Sequence, residues 1–337
     1  MAGASLRVCA HGHPTLGQLA LTLGLLAAAA LAALVVAVAL GSAAVPLTDS
    51  LAVLVGGGDD MSRTLILELR LPRALAAFAT GGLLAVAGAL MQVLLRNPLA
   101  DPYVLGLSGG AAVGALLAML AGLGSALVSG SAFVGALTAT LLVFGLAHGT
   151  GSWTPSRLLL TGVVVASGWG AVITLILSLS PARQLPGMLY WLMGDLAHAR
   201  GPGVALGLLV LVCLLVVPLG RSLNVLARGG LQAAALGVAV RRLEWLVYLL
   251  ASLMTAVAVT TAGSIGFVGL VVPHLLRLVL GNDQRLILPA CALAGGTLLV
   301  LADTLARTVI APEQLPVGVI TALLGVPVFL FLLHRSR

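Results

Sequence analysis

The sequence contains no lysine, and charged residues of either sign fill only 8% of its 337 positions. The missing lysine excludes a P-loop, whose lysine reaches the terminal phosphates of a bound nucleotide, so the chain does not hydrolyse ATP by that route. The missing charge excludes an ordinary soluble domain, which carries about 25% charged residues. Cysteine is scarce too: Cys9, Cys213 and Cys291 stand far apart and form no CxxC pair. That spacing supports neither a disulfide framework nor a zinc site, and the cysteines read as small buried hydrophobes.

What the sequence has is apolar length. Apolar residues make up 60% of the chain and mean hydropathy is +1.17, so most of its solvent is lipid. Apolar runs set against their Gly, Pro and Arg punctuation place about ten membrane spans. They lie near residues 16–40, 74–95, 104–122, 126–147, 157–180, 203–219, 244–262, 265–280, 286–306 and 315–333. Leu16 to Leu40 is longer than the apolar core of a signal peptide, about 7–15 residues, and reads as a retained first span. The expected fold class is therefore an all-α integral membrane protein. Residues 1–15 form an N-terminal tail and 16–337 a single polytopic domain.

The 17 arginines are scattered between apolar runs and form no continuous basic face, which argues against a nucleic-acid surface despite a pI near 10.6. With the N-terminus inside, eleven arginines fall on inner segments and six on outer ones, as the positive-inside rule requires. Both termini are accordingly expected on the cytoplasmic side. Small residues recur every four positions in Gly81-Ala85-Ala89, Gly106-Gly110-Gly114 and Gly162-Ala166-Gly170. That spacing puts them on one helix face, where backbones can approach closely or a wide pathway can be lined.

Three loops stand out. The outer segment Pro46 to Arg73 ends in Arg70-Leu71-Pro72-Arg73. The inner Arg96-Asn97-Pro98-Leu99-Ala100-Asp101-Pro102 has two prolines that stop the preceding helix and hold a compact turn. The inner stretch Arg221 to Arg242 carries apolar runs, 223–226 and 231–236, too short to cross a bilayer. Glycines at 229, 230 and 237 punctuate them, which suits short surface helices that dock a soluble partner, or an ordinary loop.

Two other chemistries are weighed by their residues. Gly106-Leu107-Ser108-Gly109 matches the GxSG pattern of intramembrane serine proteases, with His148 or His274 as a possible base, but the same glycines belong to the four-spaced packing series. An ion-coupled secondary transporter needs carboxylates or histidines near the bilayer middle, whereas every Asp and Glu here lies in a loop or near a span end. Asp303 and Arg307, four apart, can pair on a helix face, either as a solvated pair or as part of a charged outer rim with Arg70 and Arg73.

Several stretches together resemble a known family. They are Arg70-Leu71-Pro72-Arg73, Gly88-Ala89-Leu90-Met91-Gln92, Asn97 to Pro102, Gly106 to Ala111, Gly263 to His274, Leu301-Ala302-Asp303-Thr304 and Leu315-Pro316-Val317-Gly318. From about residue 65 to the C-terminus the chain resembles, in register, the transmembrane permease subunits of FecCD-type type II ABC importers for iron siderophores, haem and vitamin B12.

The resemblance implies a ten-helix permease that pairs with itself and forms its pathway at the dimer axis in the bacterial inner membrane. Two copies of a separate ATPase would carry ATP and Mg²⁺, and a periplasmic or lipid-anchored binding protein would deliver substrate. It implies no catalytic residue, no metal ligand and no cofactor in this chain, and membrane lipid rather than nucleic acid as its surroundings. Arg70, Arg73 and Arg307 match the outer arginines that receive the binding protein's acidic residues. The cytoplasmic gate falls on Asn97, Leu99, Pro155 and Ser156. Coupling to the ATPase falls within about 221–242, on Arg228, Gly229, Gly230, Gln232 and Gly237. Where family members have acidic residues after the position of Gly229, this chain has Gly230 and Leu231, so the contact would lean on Arg228, Gln232 and shape. Arg183, Tyr190, Trp191, Met193 and His198, around a short outer helix, read as belt and packing residues rather than haem ligands. Ferric siderophore is the first expected cargo, with cobalamin and haem as alternatives.

Overall fold

The structure, a computed structural model, describes residues 16–41, 53, 57, 59–148, 154–197, 199 and 201–335. The tail 1–15, with Cys9, the stretch 42–52, His198 and the glycine-rich run before Thr154 lie outside the described residues. Among the described residues the chain is helical, with no strand.

The helices are α1 Leu16–Ala39, α2 Asp60–Leu94, α3 Leu107–Leu120, α4 Ser125–His148, α5 Pro155–Leu179 and α6 Leu185–Met193. They continue as α7 Gly203–Val216, α8 Gly220–Arg228, α9 Gly230–Ala235, α10 Val240–Ala262, α11 Val268–Leu280, α12 Gln284–Thr308 and α13 Val317–Arg335. Six of these are long and apolar enough to cross a membrane, the apolar α7 turns by 72° into α8, and α3, α11 and α13 are shorter apolar helices. They correspond one for one with the ten stretches read from the sequence.

One boundary differs. The second span was expected to begin near residue 74, but its helix starts at Asp60, capped by the Asp59 carboxylate, which accepts from Ser62 N–H at 3.3 Å. Part of the expected outer loop is therefore helix. Pro72 offers no N–H to the Glu68 carbonyl, and the helix passes this point through a wide π turn over Leu65–Arg70.

At the centre is α2, with 89% of its membrane window buried. Around it pack α12, α10, α11, α7 and α1. Glycines let α2 approach two neighbours closely: Gly81 meets Gly295 of α12 and Gly88 meets Gly269 of α11, with no room for a Cβ at any of these positions. A second group pairs α3 with α4, Gly110 against Gly135, and carries α5 on its outer side. The four-spaced glycines of α3 are thus packing residues.

Candidate functional site

Because α1, α2 and α12 each run the length of the bundle, their two ends define its two faces. Three arginines singled out by sequence meet where α1 and α12 finish and α2 begins. The last carbonyls of α1 have no partner in their own helix, and Arg70 Nη1 donates to those of Val38 at 2.9 Å and Ala39 at 3.0 Å. Arg307 Nη2 donates to the Ala37 carbonyl at 3.1 Å. The guanidinium charges thereby also sit at the negative end of the α1 dipole.

Asp303 binds the other two helices together. Arg73 forks onto it, Nη2 to Oδ1 at 2.8 Å and Nε to Oδ2 at 3.0 Å, and extends Nη1 to Gln314 Oε1 at 2.7 Å. Arg307 Nε lies 3.1 Å from Asp303 Oδ2. Sequence spacing allowed the Asp303–Arg307 pair but left it open to solvent. In the structure Asp303 is 1% exposed, Arg307 4% and Arg70 5%, so the cluster is an interior brace with Arg73 nearest the surface.

At the opposite face, α2 ends in a turn closed by Asn97 N–H donating to the Gln92 carbonyl, with Arg96 in the left-handed region at φ 50°. Asn97 Oδ1 accepts from Leu99 N–H at 2.9 Å, and Asp101 Oδ1 accepts from Tyr103 N–H at 2.8 Å to start a 3₁₀ turn over Pro102–Leu105. The two prolines hold the compact turn that sequence anticipated. Leu99 projects from it, 41% exposed. Pro155 and Ser156 open α5, whose N-cap is Thr154, its Oγ1 accepting from Arg157 N–H. No described hydrogen bond joins Asn97 or Leu99 to Ser156 within one chain.

Helix α5 is the barest long helix, with 11% of its membrane window buried. Its exposed residues are not uniformly greasy: Ser167, Gly168, Gly170, Thr174 and Ser178 face outward. Gly162 packs against the Val104 carbonyl, whereas Gly168 and Gly170 face open space. The four-spaced series of α5 therefore changes role along its length, from packing to a smooth open face.

The segment 221–242 forms two short helices, as its length required. Gly229 at φ 138° and Gly237 at φ 81° supply the backbone that separates α8 from α9 and α9 from α10. Arg228 and Gln232 are exposed, and Leu231 and Leu236 project from α9 at 91% and 71% exposure. Sequence reasoning missed what anchors this platform. Asn224 on α8 donates to Asp283 Oδ1 at 2.9 Å and accepts from Gln284 N–H at 2.8 Å, fastening α8 to the start of α12. Arg285, Asn224 and the Arg285 backbone N–H together hold the Asp283 carboxyl down at about 2. The signal was an asparagine inside an apolar run, too common to single out. Arg96 also joins the turn after α2 to α9 and α10: its guanidinium lies against Gly230 and 3.7 Å from Glu244.

Ser108 of the GxSG stretch pairs with Ser264, Oγ to Oγ at 2.7 Å, and no histidine is hydrogen-bonded to either among the described residues. The arrangement lacks the base that nucleophilic catalysis needs.

Residues 28–335 match the model of the FecCD transport family. The chain belongs to that family. Among its relatives are the hemin transport system permease protein HmuU of Yersinia pestis, 42% identical over 80% of this chain and 83% of that protein, and the vitamin B12 import system permease protein BtuC of Vibrio cholerae, 43% identical over 82% and 85%. A solved chain described as an inward-facing conformation of a metal-chelate type ABC transporter superposes with a TM-score of 0.82 at 29% identity, covering 93% of this chain and 98% of its own. PsaBC from Streptococcus pneumoniae, at 19% identity and a TM-score of 0.55 over 77% of this chain and 90% of its own, shares the fold. This FecCD chain is thus a multi-pass ABC transporter permease.

Proposed function

We propose that this chain is the permease subunit of an ATP-driven importer that moves a metal chelate across the bacterial inner membrane, both termini on the cytoplasmic side. The observation that carries the reading is the open, smooth face of α5, bare in the single chain and set with Ser, Thr and Gly. Such a face fits a second copy across a wide pathway with few fixed polar contacts. Cargo selection then falls chiefly to a separate binding protein. Ferric siderophores, haem and cobalamin all suit such a pathway, and the named relatives weigh at least as much toward the two macrocycles as toward siderophores.

In this reading the gate is the turn of Asn97 and Leu99 facing Pro155 and Ser156. Two ATPase subunits carry ATP and Mg²⁺ and dock on the platform of Arg228, Gly229, Gly230, Gln232 and Gly237, where the bare Leu231 and Leu236 favour an apolar partner surface. Nucleotide-driven approach of the ATPases would move α8 and α9, and Arg96 would pass the shift to the gate. At the other face, the binding protein's carboxylates are received by Arg73, the most exposed of the three, with Arg70 and Arg307 held beneath it on the α1 carbonyls and adding positive potential. Because Arg73 is already forked onto Asp303, docking is an exchange of carboxylates rather than capture of free charge. Such an exchange fixes orientation with little net affinity.

The test is reconstitution in liposomes with the partner ATPase and binding protein, measuring uptake of a ferric siderophore, hemin and labelled cobalamin. ATP-dependent uptake of any of the three supports the proposal. Uptake that persists with a hydrolysis-dead ATPase means an ion-driven carrier instead.

A further inference from the structure

At the platform face a cleft of about 1040 Å³ is lined by Arg96, Arg221, Arg228, Arg277 and Arg285 against one carboxylate, Asp283. That carboxylate is committed to Arg285 at 2.6 Å. Arg277 turns to Gln92 and the Ala89 carbonyl, and Arg96 has Glu244 at 3.7 Å. Arg221 and Arg228, seven apart on the exposed side of α8, have no ion-pair partner among the described residues. A second polar side chain belongs to the wall of the same cleft. Gln284 is 2% exposed, and its Oε1 accepts no hydrogen bond. The cleft therefore offers donors for an anion, beside a buried acceptor that no group of the chain satisfies.

Its depth and its remaining wall narrow the ligand. The lining comes from the first turn of α1, the end of α2, the end of α11 and the start of α12, all at the boundary between membrane and water. One wall is Leu19, and Leu23 and Leu26 continue the same half-exposed face of α1. Leu26 is seven residues on, about 10 Å deeper into the bilayer. Beside that face Leu21 and Leu25 are bare, at 65% and 63% exposure. A basic cleft at headgroup level thus runs without interruption onto an apolar strip at acyl-chain level.

We propose that this cleft is a binding site for an anionic glycerophospholipid with a hydroxylated headgroup. Arg221 and Arg228 hold its phosphate, the headgroup hydroxyl donates to Gln284 Oε1, and an acyl chain lies along Leu19, Leu23 and Leu26. Free phosphate or an acidic protein segment would satisfy the arginines but leave the apolar wall without an occupant. The site is independent of the cargo and requires only that these helices span a membrane.

Native mass spectrometry of the full chain in detergent tests it, with dioleoyl phosphatidylglycerol, dioleoyl phosphatidylcholine, dioleoyl phosphatidic acid and glycerol 1-phosphate as probes. The chain should retain phosphatidylglycerol in preference to phosphatidylcholine, and R221Q/R228Q should weaken that retention about 30-fold. R221K/R228K, which keeps the charge, should retain it, so a loss confined to the Gln pair is not a folding defect. Gln284→Leu should erase the preference for phosphatidylglycerol over phosphatidic acid. Equal retention of phosphatidylcholine, or displacement of the lipid by glycerol 1-phosphate at equal concentration, overturns the proposal. So does a Gln pair that keeps its lipid.

Discussion

Arginines gather at both faces of this bundle, and the two gatherings differ in solvation rather than in composition. At one face Arg70, Arg73 and Arg307 are folded over the end of α1 and around Asp303, in a site that is almost dry. At the other, Arg221 and Arg228 line an open cleft with no carboxylate of their own. Removing charge from the first should cost stability, and removing it from the second should cost binding. A buried guanidinium has given up its water and needs its partner, whereas an open one keeps its hydration until a ligand displaces it.

The largest effect should follow from Asp303→Ala. It strips the acceptor shared by Arg73 and Arg307 and leaves guanidinium charge buried, a change that costs about 3–5 kcal/mol. Unfolding by dodecyl sulfate titration in mild detergent measures it. A loss near zero would mean that water enters the cluster and that the two faces are alike. Gln314→Ala removes one hydrogen bond to a charged group at the edge of the same cluster, and about 1.5 kcal/mol is expected by the same titration.

The contrast also marks what sequence made legible. Positions and spacing showed the helices, because an apolar run must be long enough to cross a bilayer whatever surrounds it. Hydropathy did not show which helix is central. It is almost the same for α2 and α5, yet 89% of one window and 11% of the other are buried. Lipid, partner and core reward the same apolar side chains. Gly81 and Gly170 belong to series of the same four-residue period, but one has the Gly295 backbone against it and the other has nothing. Only tertiary placement separates them. Asp303 was legible as a partner of Arg307, since four residues bring them to one helix face. Its fork with Arg73, 230 positions away, was not. The Asn224 clamp was hidden for the same reason: both of its partners lie on another helix.

A smaller effect, and one that varies with pH, is expected at the open face. Arg285 and Asn224 lower the folded-state pKa of Asp283 from 3.8 to about 2. The clamp's contribution is therefore fully present above the unfolded value and is lost as pH falls through about 2. Thermal unfolding of the wild type and of Asp283→Asn should differ by a constant amount from neutral pH down to about pH 5, and the two should converge as pH falls from there through about 2. A gap that stayed constant to pH 2 would place the value of Asp283 in packing rather than charge.

The smallest change in stability is expected for Arg221→Gln. Its guanidinium lies on an exposed stretch of α8 and gives up no described ion pair, so unfolding should shift by less than about 0.5 kcal/mol. Loss on the scale expected for Asp303→Ala would mean that the cleft is a folded brace like its counterpart, closed by contacts within the chain. If the unfolding curve is unchanged while retention of phosphatidylglycerol falls, the two faces separate cleanly. In one, charge is a component of the fold; in the other, it is held in reserve for a ligand at the membrane surface.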